Sequence, residues 1–305
     1  MRGTPTRTSM TTTRPAESGL VICDKPAGWT SHQVVGRVRK LLGTRKVGHA
    51  GTLDPMATGV LVVGVNRATR LLGLLALDAK AYAATIRLGI GTVTDDAEGE
   101  VTTASGAVDV ESAALTAAMA ALTGDIAQVP SAVSAIKVDG VRAYARVRAG
   151  HEVALAARRV RVRRFDVVSR RDAVADGVPV VDLDVLVECS TGTYVRALAR
   201  DLGAALGTGG HLTALRRLRS GPFTEAEAQR LGDDPPRLLN LSDAVRRCFP
   251  VFTVDESVAQ AVRYGRRLSG LDLPADRTAL FAPSGEFLAL YRRQPGEAVP
   301  EAVFV

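Results

Sequence analysis

The chain has few cysteines, few aromatic residues and no long hydrophobic run, and each shortage excludes a class of protein. Three cysteines among 305 residues, at positions 23, 189 and 248, are too few and too far apart for a disulfide framework or a zinc site. No apolar stretch approaches the roughly 20 residues that span a bilayer. Residues 1–18 are rich in Thr, Arg and Pro and do not resemble a signal peptide. We therefore expect a cytoplasmic protein with a disordered leader over 1–18.

The sequence also lacks the motifs of metal and dinucleotide enzymes. There is no CxxC, no HxxEH and no glycine-rich fingerprint after a strand, and the histidines at 32, 49, 151 and 211 are scattered. The acidic cluster of Asp95, Asp96 and Glu98 could bind Mg²⁺. A polar turn whose carboxylates cap backbone N–H groups or hold an arginine is the favoured interpretation. We therefore expect chemistry without a metal or cofactor.

Positive charge is in excess. The formal net charge is +7, and the hydrophobic fraction of 46% is enough for an ordinary globular core. Such a balance favours polyanionic partners, nucleic acid above all. Arginine, the commoner basic residue here, binds phosphate through its planar fork.

Hydrophobic periodicity predicts an α+β fold with a mixed sheet and helices packed on it. Strands and helices mix without the strict alternation of a parallel sheet. The predicted strands are 19–23, 59–65, 81–88, 160–168 and 181–189, and the predicted helices are 31–42, 68–77, 110–122 and 193–206. Short strands at 251–254, 278–281 and 286–291 predict a small β-rich appendage at the C-terminus.

Residues 124–157 differ from their surroundings. The segment combines small residues with one tyrosine and several basic side chains, namely Lys137, Arg142, Tyr144, Arg146 and Arg148. A long basic segment with an aromatic inside it suggests an insertion that grips nucleic acid. The alternative is an ordinary solvated helix and loop.

Residues 46–59 form the most informative stretch. A single carboxylate, Asp54, lies in a glycine-punctuated loop next to Pro55, which fixes its own φ and keeps Asp54 out of the helical region. His49 lies five residues earlier, and an apolar run follows at once. The loop is therefore either an Asp–Pro turn before a buried strand or a rigid support for one reactive acid.

A second segment, 189–203, supplies a cation for that acid. Gly192 and Thr193 turn a strand into a helix, and Tyr194 and Arg196 lie at the junction. A buried carboxylate needs a cationic partner, and arginine is the usual one. The alternative is a core tyrosine beside a surface arginine.

The loop GHAGTLDPMATG at 48–59 resembles the catalytic motif of the TruB family of tRNA pseudouridine synthases. Other segments are similar to the family pattern and occur in its order: DKPAGWTS at 24–31, KAY at 80–82, the segment 124–137, STGTYVR at 190–196 and LRRL at 215–218. The resemblance covers roughly residues 19–245.

This resemblance implies a fold and a reaction. The fold is the pseudouridine synthase fold, a mixed, mainly antiparallel sheet with flanking helices over 19–248, followed by a small β-rich PUA-like domain at 249–305. The reaction converts uridine 55 in the T-loop of tRNA into pseudouridine. The enzyme flips the base out, cuts the glycosidic bond and rejoins the uracil through C5, without cofactor or metal. We expect a monomer that recognises the T-arm stem-loop and needs no protein partner.

The resemblance also implies roles for single residues. Asp54 would be the catalytic acid, Arg196 would pair with it, and Tyr82 would stack on the uracil. The residues expected to contact or enclose the substrate are His49, Tyr194, Leu218, Lys25, Lys46, Asp96 and Lys137. Among these, His49 would fill the gap left by the flipped base, and Leu218 would wall the pocket.

Two alternatives come from other classes. A tRNA-binding and folding chaperone would need the basic surface but not the pair of Asp54 and Arg196. A guide-RNA-dependent relative of the family would act within a complex and typically has a longer basic C-terminal part. The stand-alone synthase is the leading hypothesis because the acid and its arginine are both present.

Overall fold

The computed structural model describes residues 17–75, 77, 79–132, 137–138, 141–142 and 155–305, with only the backbone described at 137–138 and 141–142. The helices are α1 (Ser31–Leu42), α2 (Ser112–Ala121), α3 (Val195–Ala205), α4 (Leu241–Cys248) and α5 (Glu256–Arg263), and Asn66–Arg70 form a 3₁₀ helix. The strands up to the middle of the chain are β1 (Gly19–Lys25), β2 (Val47–Ala50), β3 (Thr58–Val65), β4 (Ala79–Leu88), β5 (Gly91–Thr92), β6 (Val101–Thr103), β7 (Gly124–Gln128), β8 (Lys137–Val138) and β9 (Val141–Arg142). The later strands are β10 (Arg158–Ala175), β11 (Val178–Ser190), β12 (Gly210–Ser220), β13 (Phe223–Thr224), β14 (Leu239–Asn240), β15 (Val251–Thr253), β16 (Leu268–Ser269), β17 (Arg277–Phe281), β18 (Phe287–Gln294) and β19 (Glu297–Val303).

A ten-stranded sheet forms the body of the molecule. Its order is β14-β1-β3-β12-β4-β11-β10-β7, with β2 paired to β3 and β13 paired to β12. Within this sheet, β3 and β12 pair in parallel and the other pairs are antiparallel. The predicted mixed, mainly antiparallel sheet with helices is therefore confirmed.

Burial explains the two kinds of strand in this sheet. Residues 59–65 of β3 are an unbroken buried run, since both faces of that strand are covered. In β4 burial alternates from residue to residue, which places Tyr82 and Ile86 on the core face. The core face of β4 and β11 packs against α1, α2 and α3 in one hydrophobic cluster.

Helix α1 begins and ends at local signals in the sequence. The hydroxyl of Thr30 accepts a hydrogen bond from the Gln33 backbone N–H, and the Gln33 side chain accepts from the Thr30 backbone N–H, which makes a capping box. Gly43 ends the helix in the left-handed conformation, with φ of 61°. Val34, Val35 and Val38 are buried, as the predicted apolar face requires.

A second sheet of five strands, ordered β15-β17-β18-β19-β16, lies at the C-terminus. Phe281 and Phe287 of this sheet, together with Phe304 just after it, pack in one hydrophobic cluster with Val60 and Val62 of β3. The predicted β-rich C-terminal part is therefore confirmed. The predicted boundary at residue 248 stays a prediction.

The helix predicted at 68–77 is wrong in form. The structure has a short 3₁₀ helix that ends at Arg70, followed by turns in which Leu71 and Leu75 are buried. Gly73 lies in the middle of this stretch, and glycine disfavours a continuous helix. The two buried leucines are four residues apart, as in a helix, but they fill the space between the two sheets from a series of turns.

Several predictions lie outside the described residues. They concern the leader up to residue 16 and the basic side chains at 137, 142, 146 and 148 together with Tyr144. Among the helices that are described, none has the length and apolar content to cross a membrane.

Candidate active site

The loop that carries Asp54 connects β2 to β3 and has no regular secondary structure. Its first half is held by a side chain from another strand. Arg217 of β12 donates from Nη2 to the Gly51 carbonyl over 3.0 Å and from Nη1 towards the Thr52 carbonyl over 3.5 Å. Gly51 and Thr52 are exposed, so these bonds from a fully buried arginine tie an exposed stretch of the loop to β12.

The second half of the loop is held from the N-terminal part of the chain. The hydroxyl of Ser31 accepts from the Leu53 N–H over 3.0 Å and donates to the Leu53 carbonyl over 3.1 Å. The ammonium of Lys25 donates to the Pro55 carbonyl over 3.1 Å. Asp54 is therefore presented by a loop with bonds on both sides of it.

Lys25 is buried, whereas a lysine that contacts a phosphate would be exposed. Its side chain is fully buried, and its Nζ also donates to the carbonyls of Pro26 and Trp29. Burial lowers the pKa of Lys25 to about 8, against the opposing charges of Asp54 and Glu98. In this position Lys25 supports the loop and is not exposed to a phosphate.

Arg196 brings a guanidinium to Asp54 from the first turn of α3. Its Nε lies 3.0 Å from Asp54 Oδ2, and its Nη2 lies 3.3 Å from Oδ1. The arginine side chain is 4% exposed and the aspartate side chain is 35% exposed. The paired fork fixes the direction of the carboxylate, while one side of it remains open to solvent.

The same guanidinium contacts a second carboxylate. Arg196 Nη1 lies 3.5 Å from Asp96 Oδ2 and donates to the Thr94 carbonyl over 2.7 Å. Asp96 is buried, and its Oδ1 accepts from the Glu98 backbone N–H over 3.1 Å. Arg196 is therefore oriented by Asp96 on one side and bound to Asp54 on the other.

The acidic cluster is thus a polar turn that holds arginines. Asp95, in the left-handed region with φ of 59°, pairs with Arg200 over 3.2 Å. Burial raises the pKa of Asp95, although a hydrogen bond from Ser131 and the charge of Arg200 oppose it. Within the described residues, no group of three or more His, Cys, Asp or Glu side chains is placed to hold a metal ion.

A cavity of about 230 Å³ opens beside Asp54. Its lining combines the acid, the arginine and two tyrosines with apolar and small residues: Thr52, Leu53, Asp54, Lys80, Tyr82, Gly192, Thr193, Tyr194, Val195, Arg196 and Leu215. The volume is below the usual range for pockets that take drug-sized ligands, so it suits one small group.

Tyr82 lies on the core face of β4 and is 6% exposed. Burial raises the pKa of its hydroxyl, against the opposing effect of the Arg217 guanidinium. The ring therefore stays neutral at physiological pH and gives the cavity a flat aromatic side.

Tyr194 is held in place by a side chain that the sequence did not indicate. Gln128, at the end of β7, accepts from the Tyr194 backbone N–H over 2.8 Å and donates to its carbonyl over 3.1 Å. This paired bond fixes the start of α3, because Tyr194 is the N-cap residue and its own side chain makes no capping bond. Arg196 follows two residues later.

Leu215 lines the cavity, and Leu218 is not among its lining residues. Leu215 is buried on the face of β12 that it shares with Tyr82, because it pairs with Ala84 of β4. Leu218 lies at a bulge between Arg217 and Arg219 and is only half-buried. The wall role expected of Leu218 stays a prediction, and the phase of β12 makes Leu215 a second candidate for it.

Three further residues are expected to contact the substrate: His49, Lys46 and Lys137. His49, half-buried on β2, packs edge-on against His32 at 5.5 Å, and burial lowers its pKa. Lys46 is exposed just before β2. The side chain of Lys137 lies outside the described residues.

The sequence offered a partial signal for the residues that were missed. Arg217 and Leu215 both belong to the segment LRRL, which matches the family motif and lies in strand β12. A strand assignment would have placed the two on one face, since they are two residues apart. Gln128 carried no signal, because its role depends on contact with residue 194 across the fold.

Taken together, the site presents one fixed carboxylate beside a flat, neutral aromatic wall. The carboxylate is bound by a buried guanidinium, which favours nucleophilic or base chemistry at its open side. The cavity next to it has room for one small group, and Tyr82 lines one side of it.

Three family models match the chain. The TruB family pseudouridylate synthase N-terminal domain matches residues 39–195, the tRNA pseudouridylate synthase B C-terminal domain matches 196–233, and the tRNA pseudouridine synthase II C-terminal matches 249–305.

Curated relatives match over nearly the whole length. A tRNA pseudouridine synthase B of Cutibacterium acnes is 59% identical, covering 90% of this chain and 93% of the relative. A tRNA pseudouridine synthase B of Nocardia farcinica is also 59% identical, covering 94% and 92%.

Solved structures share the fold at lower identity. The chain aligns with a Cbf5–Nop10–Gar1 complex at 28% identity and a TM-score of 0.70, and with an H/ACA RNP bound to a substrate RNA containing 2′-deoxyuridine at 26% and 0.68. Each alignment covers 94% of this chain and 85% of the other.

Proposed function

The chain belongs to the TruB family of pseudouridylate synthases, and from this premise we propose that it isomerises uridine 55 in the T-loop of tRNA to pseudouridine. It is a tRNA pseudouridine synthase, as its relatives are. The position of the target base and the residues that act on it are the parts that this proposal adds.

One observation carries the proposal. Asp54 has an open side that faces a small cavity, and its other side is bound by a guanidinium that is 4% exposed. A base inside a folded T-arm must leave its stack to reach such a cavity. Once there, it lies between the carboxylate and Tyr82.

The reaction needs no added electrons or groups. The bond between C1′ and N1 breaks, a bond between C1′ and C5 forms, and the proton lost from C5 is balanced by one gained at N1. Asp54 starts this sequence by adding to the base, by attacking C1′ or by removing the 2′ proton, and all three routes use the same open carboxylate oxygen.

The aromatic residues hold the uracil while it turns. Stacking on Tyr82 tolerates rotation in the plane of the ring because it depends on the π face and not on fixed hydrogen bonds. Tyr194 and Leu215 bound the cavity on other sides. Tyr82 also lines the cavity proposed for the base, so it is the candidate to help remove the C5 proton.

Residues at the rim contact the rest of the T-arm. The lowered pKa of His49 keeps its ring neutral, which suits a side chain that takes the place of the flipped base in the stack. Lys46 is exposed and next to β2, so it can bind a phosphate. Asp96 acts through Arg196, which it orients.

The substrate is proposed to be tRNA without a guide RNA or protein partner. Relatives named tRNA pseudouridine synthase B are 53–59% identical to the chain, whereas the similar structures from H/ACA complexes are 26–28% identical. The higher identity over 90% or more of the chain supports the stand-alone enzyme.

The direct test uses the purified protein alone with unmodified tRNA. We expect pseudouridine at position 55 and none in a tRNA that carries cytidine there. Pseudouridine that appears elsewhere, or appears only after a guide RNA is added, would contradict the proposal.

A further inference from the structure

Arg217 is a buried cation at the centre of the site. Its side chain is fully buried, and no salt bridge to it occurs among the residues that the structure describes. Burying a charge is costly unless hydrogen bonds compensate for it. A methionine of similar length would avoid the cost of burying a charge. The guanidinium is therefore expected to have a role that an apolar side chain could not fill.

Its bonds run to carbonyls on two separate elements. Nε donates to Val60 of β3 over 2.7 Å, while Nη2 donates to Gly51 over 3.0 Å and Nη1 lies 3.5 Å from the Thr52 oxygen. A planar fork of fixed geometry therefore ties the start of the Asp54 loop to the strand that follows that loop.

The register of the sheet puts Arg217 between the parts of the site. It lies opposite Gly59 of β3 in the parallel pair and opposite Tyr82 of β4 in the antiparallel pair. Its guanidinium opposes the burial effect that raises the pKa of Tyr82, so the two side chains interact. Arg217 is thus shared by the loop of the acid and the strand of the aromatic wall.

We propose that Arg217 is a positioning residue, which sets the distance and direction between Asp54 and Tyr82 by fixing the carbonyls of residues 51 and 52. This inference rests on the proposed function, because the geometry matters for an in-plane rotation of a base between those two side chains. Arg217 does not touch the base itself. It acts through the loop.

The test compares substitutions at Arg217 with two controls. Arg217→Met removes the donors and keeps the length, and Arg217→Lys keeps the charge but loses the fork. Arg219→Met changes the same residue type two positions along β12, where the side chain pairs with Glu188 over 3.1 Å and is partly exposed. Leu183→Ala weakens the core in β11 without touching the loop.

Two readouts separate positioning from simple loss of stability. For pseudouridine formation in tRNA we expect Arg217→Met to lower kcat about 100-fold with KM within about threefold, because a small displacement of reacting groups is enough for such a loss. The kcat of Arg217→Lys should lie between that of Arg217→Met and that of the wild type. Hydrogen exchange at the amides of Leu53 and Ala57 should become faster in both Arg217 variants. The Leu53 amide donates to the Ser31 hydroxyl and the Ala57 amide donates to the Asp54 carbonyl, so both bonds depend on the position of the loop.

Other results would overturn the inference. Arg217→Lys carries the test alone if Arg217→Met does not fold. Wild-type kcat in Arg217→Lys, unchanged exchange at Leu53, or a loss no greater than that of Leu183→Ala would each refute a positioning role. Failure of the proposed function looks different, because the wild-type protein itself would then form no pseudouridine at position 55.

Discussion

Asp54 and Arg196 are 142 residues apart in the chain and share two contacts of 3.0 and 3.3 Å. The arginine is buried and the acid is half-open, so the pair has one side within the protein and one side open to the cavity. Arg196 is in turn oriented by Asp96. Small changes at any of these three side chains should therefore affect catalysis more than stability.

Asp54→Asn tests the acid. We expect it to abolish pseudouridine formation, because an amide is neither a nucleophile nor a base, and to leave tRNA binding within about tenfold, or roughly 1.4 kcal/mol. The measurements are turnover on a T-arm stem-loop and an equilibrium binding assay. Appreciable turnover by this variant would favour a chaperone role without essential catalysis.

A pair of leucine substitutions tests which residue walls the cavity. Leu215→Ala should lower kcat/KM by at least about tenfold, because one apolar side of the pocket is lost, and a loss of 1.4 kcal/mol corresponds to that factor. Leu218→Ala, at the bulge, should stay within about threefold of the wild type. Steady-state kinetics on the same stem-loop measure both losses. A larger loss in Leu218→Ala than in Leu215→Ala would show that Leu218 walls the pocket.

At the scale of elements, the parallel pairing of β3 with β12 brings the loop of Asp54 next to Arg217. Gly59 makes this contact possible. A Cβ atom on Gly59 would lie 2.3 Å from the Arg217 carbonyl oxygen, and its φ of 97° disfavours other residues. The two backbones can therefore approach only where a side chain is absent.

Gly59→Ala and Gly36→Ala should shift stability in opposite directions. Gly59→Ala should lower the free energy of unfolding by about 3 kcal/mol or more through overlap and backbone strain. Gly36 is exposed within α1 and has open space around it, so Gly36→Ala should raise the free energy of unfolding by about 0.5–1 kcal/mol. Urea denaturation measures both, and a neutral Gly59→Ala would contradict the close approach of β3 and β12.

At the scale of the whole molecule, the net charge of +7 predicts salt-dependent binding. Affinity for tRNA should fall at least about tenfold between 50 and 200 mM salt, as expected for two or more phosphate contacts. A titration of binding at several salt concentrations measures the slope. A flat response would show that charge does not contribute to recognition.

Alkaline pH should destabilise the fold through its buried thiols. Burial raises the pKa of Cys23 from 9.0 to about 12 and that of Cys189 to about 11. The unfolded thiols therefore release protons first, and stability that is complete below pH 9 is lost as the pH rises towards 12. At pH 10.5, Cys23 alone should lower the free energy of unfolding by about 2 kcal/mol relative to its value below pH 9.

The matched variant is Cys23→Ala. It should be less stable than the wild type at pH 8, because a buried side chain is shortened, but should lose less stability between pH 8 and 10.5. Denaturation curves at the two pH values measure the difference. An equal loss of unfolding free energy in the wild type and in Cys23→Ala would contradict the raised pKa of the Cys23 thiol.

Local signals were enough for many elements. The capping residues of α1 and the alternation in β4 are encoded by neighbouring residues, and both elements lie close to the predicted bounds. The stretch after Arg70 was mistaken for a helix, because apolar residues that fill a gap between two sheets can imitate helical spacing. Strand β12 was missed, since its four arginine and histidine residues hide the alternation.

The sequence by itself determined the family, the acid in its stiff loop and the mainly antiparallel fold with a β-rich C-terminal part, because these depend on local residue order and on motifs. Only the tertiary structure decided which distant side chains meet. It buried Lys25 and Arg217 under the loop, put Leu215 beside the cavity and placed Gln128 against Tyr194. The physical reason is that strand order and bulges set these contacts, and both come from long-range backbone pairing that no single stretch of sequence encodes.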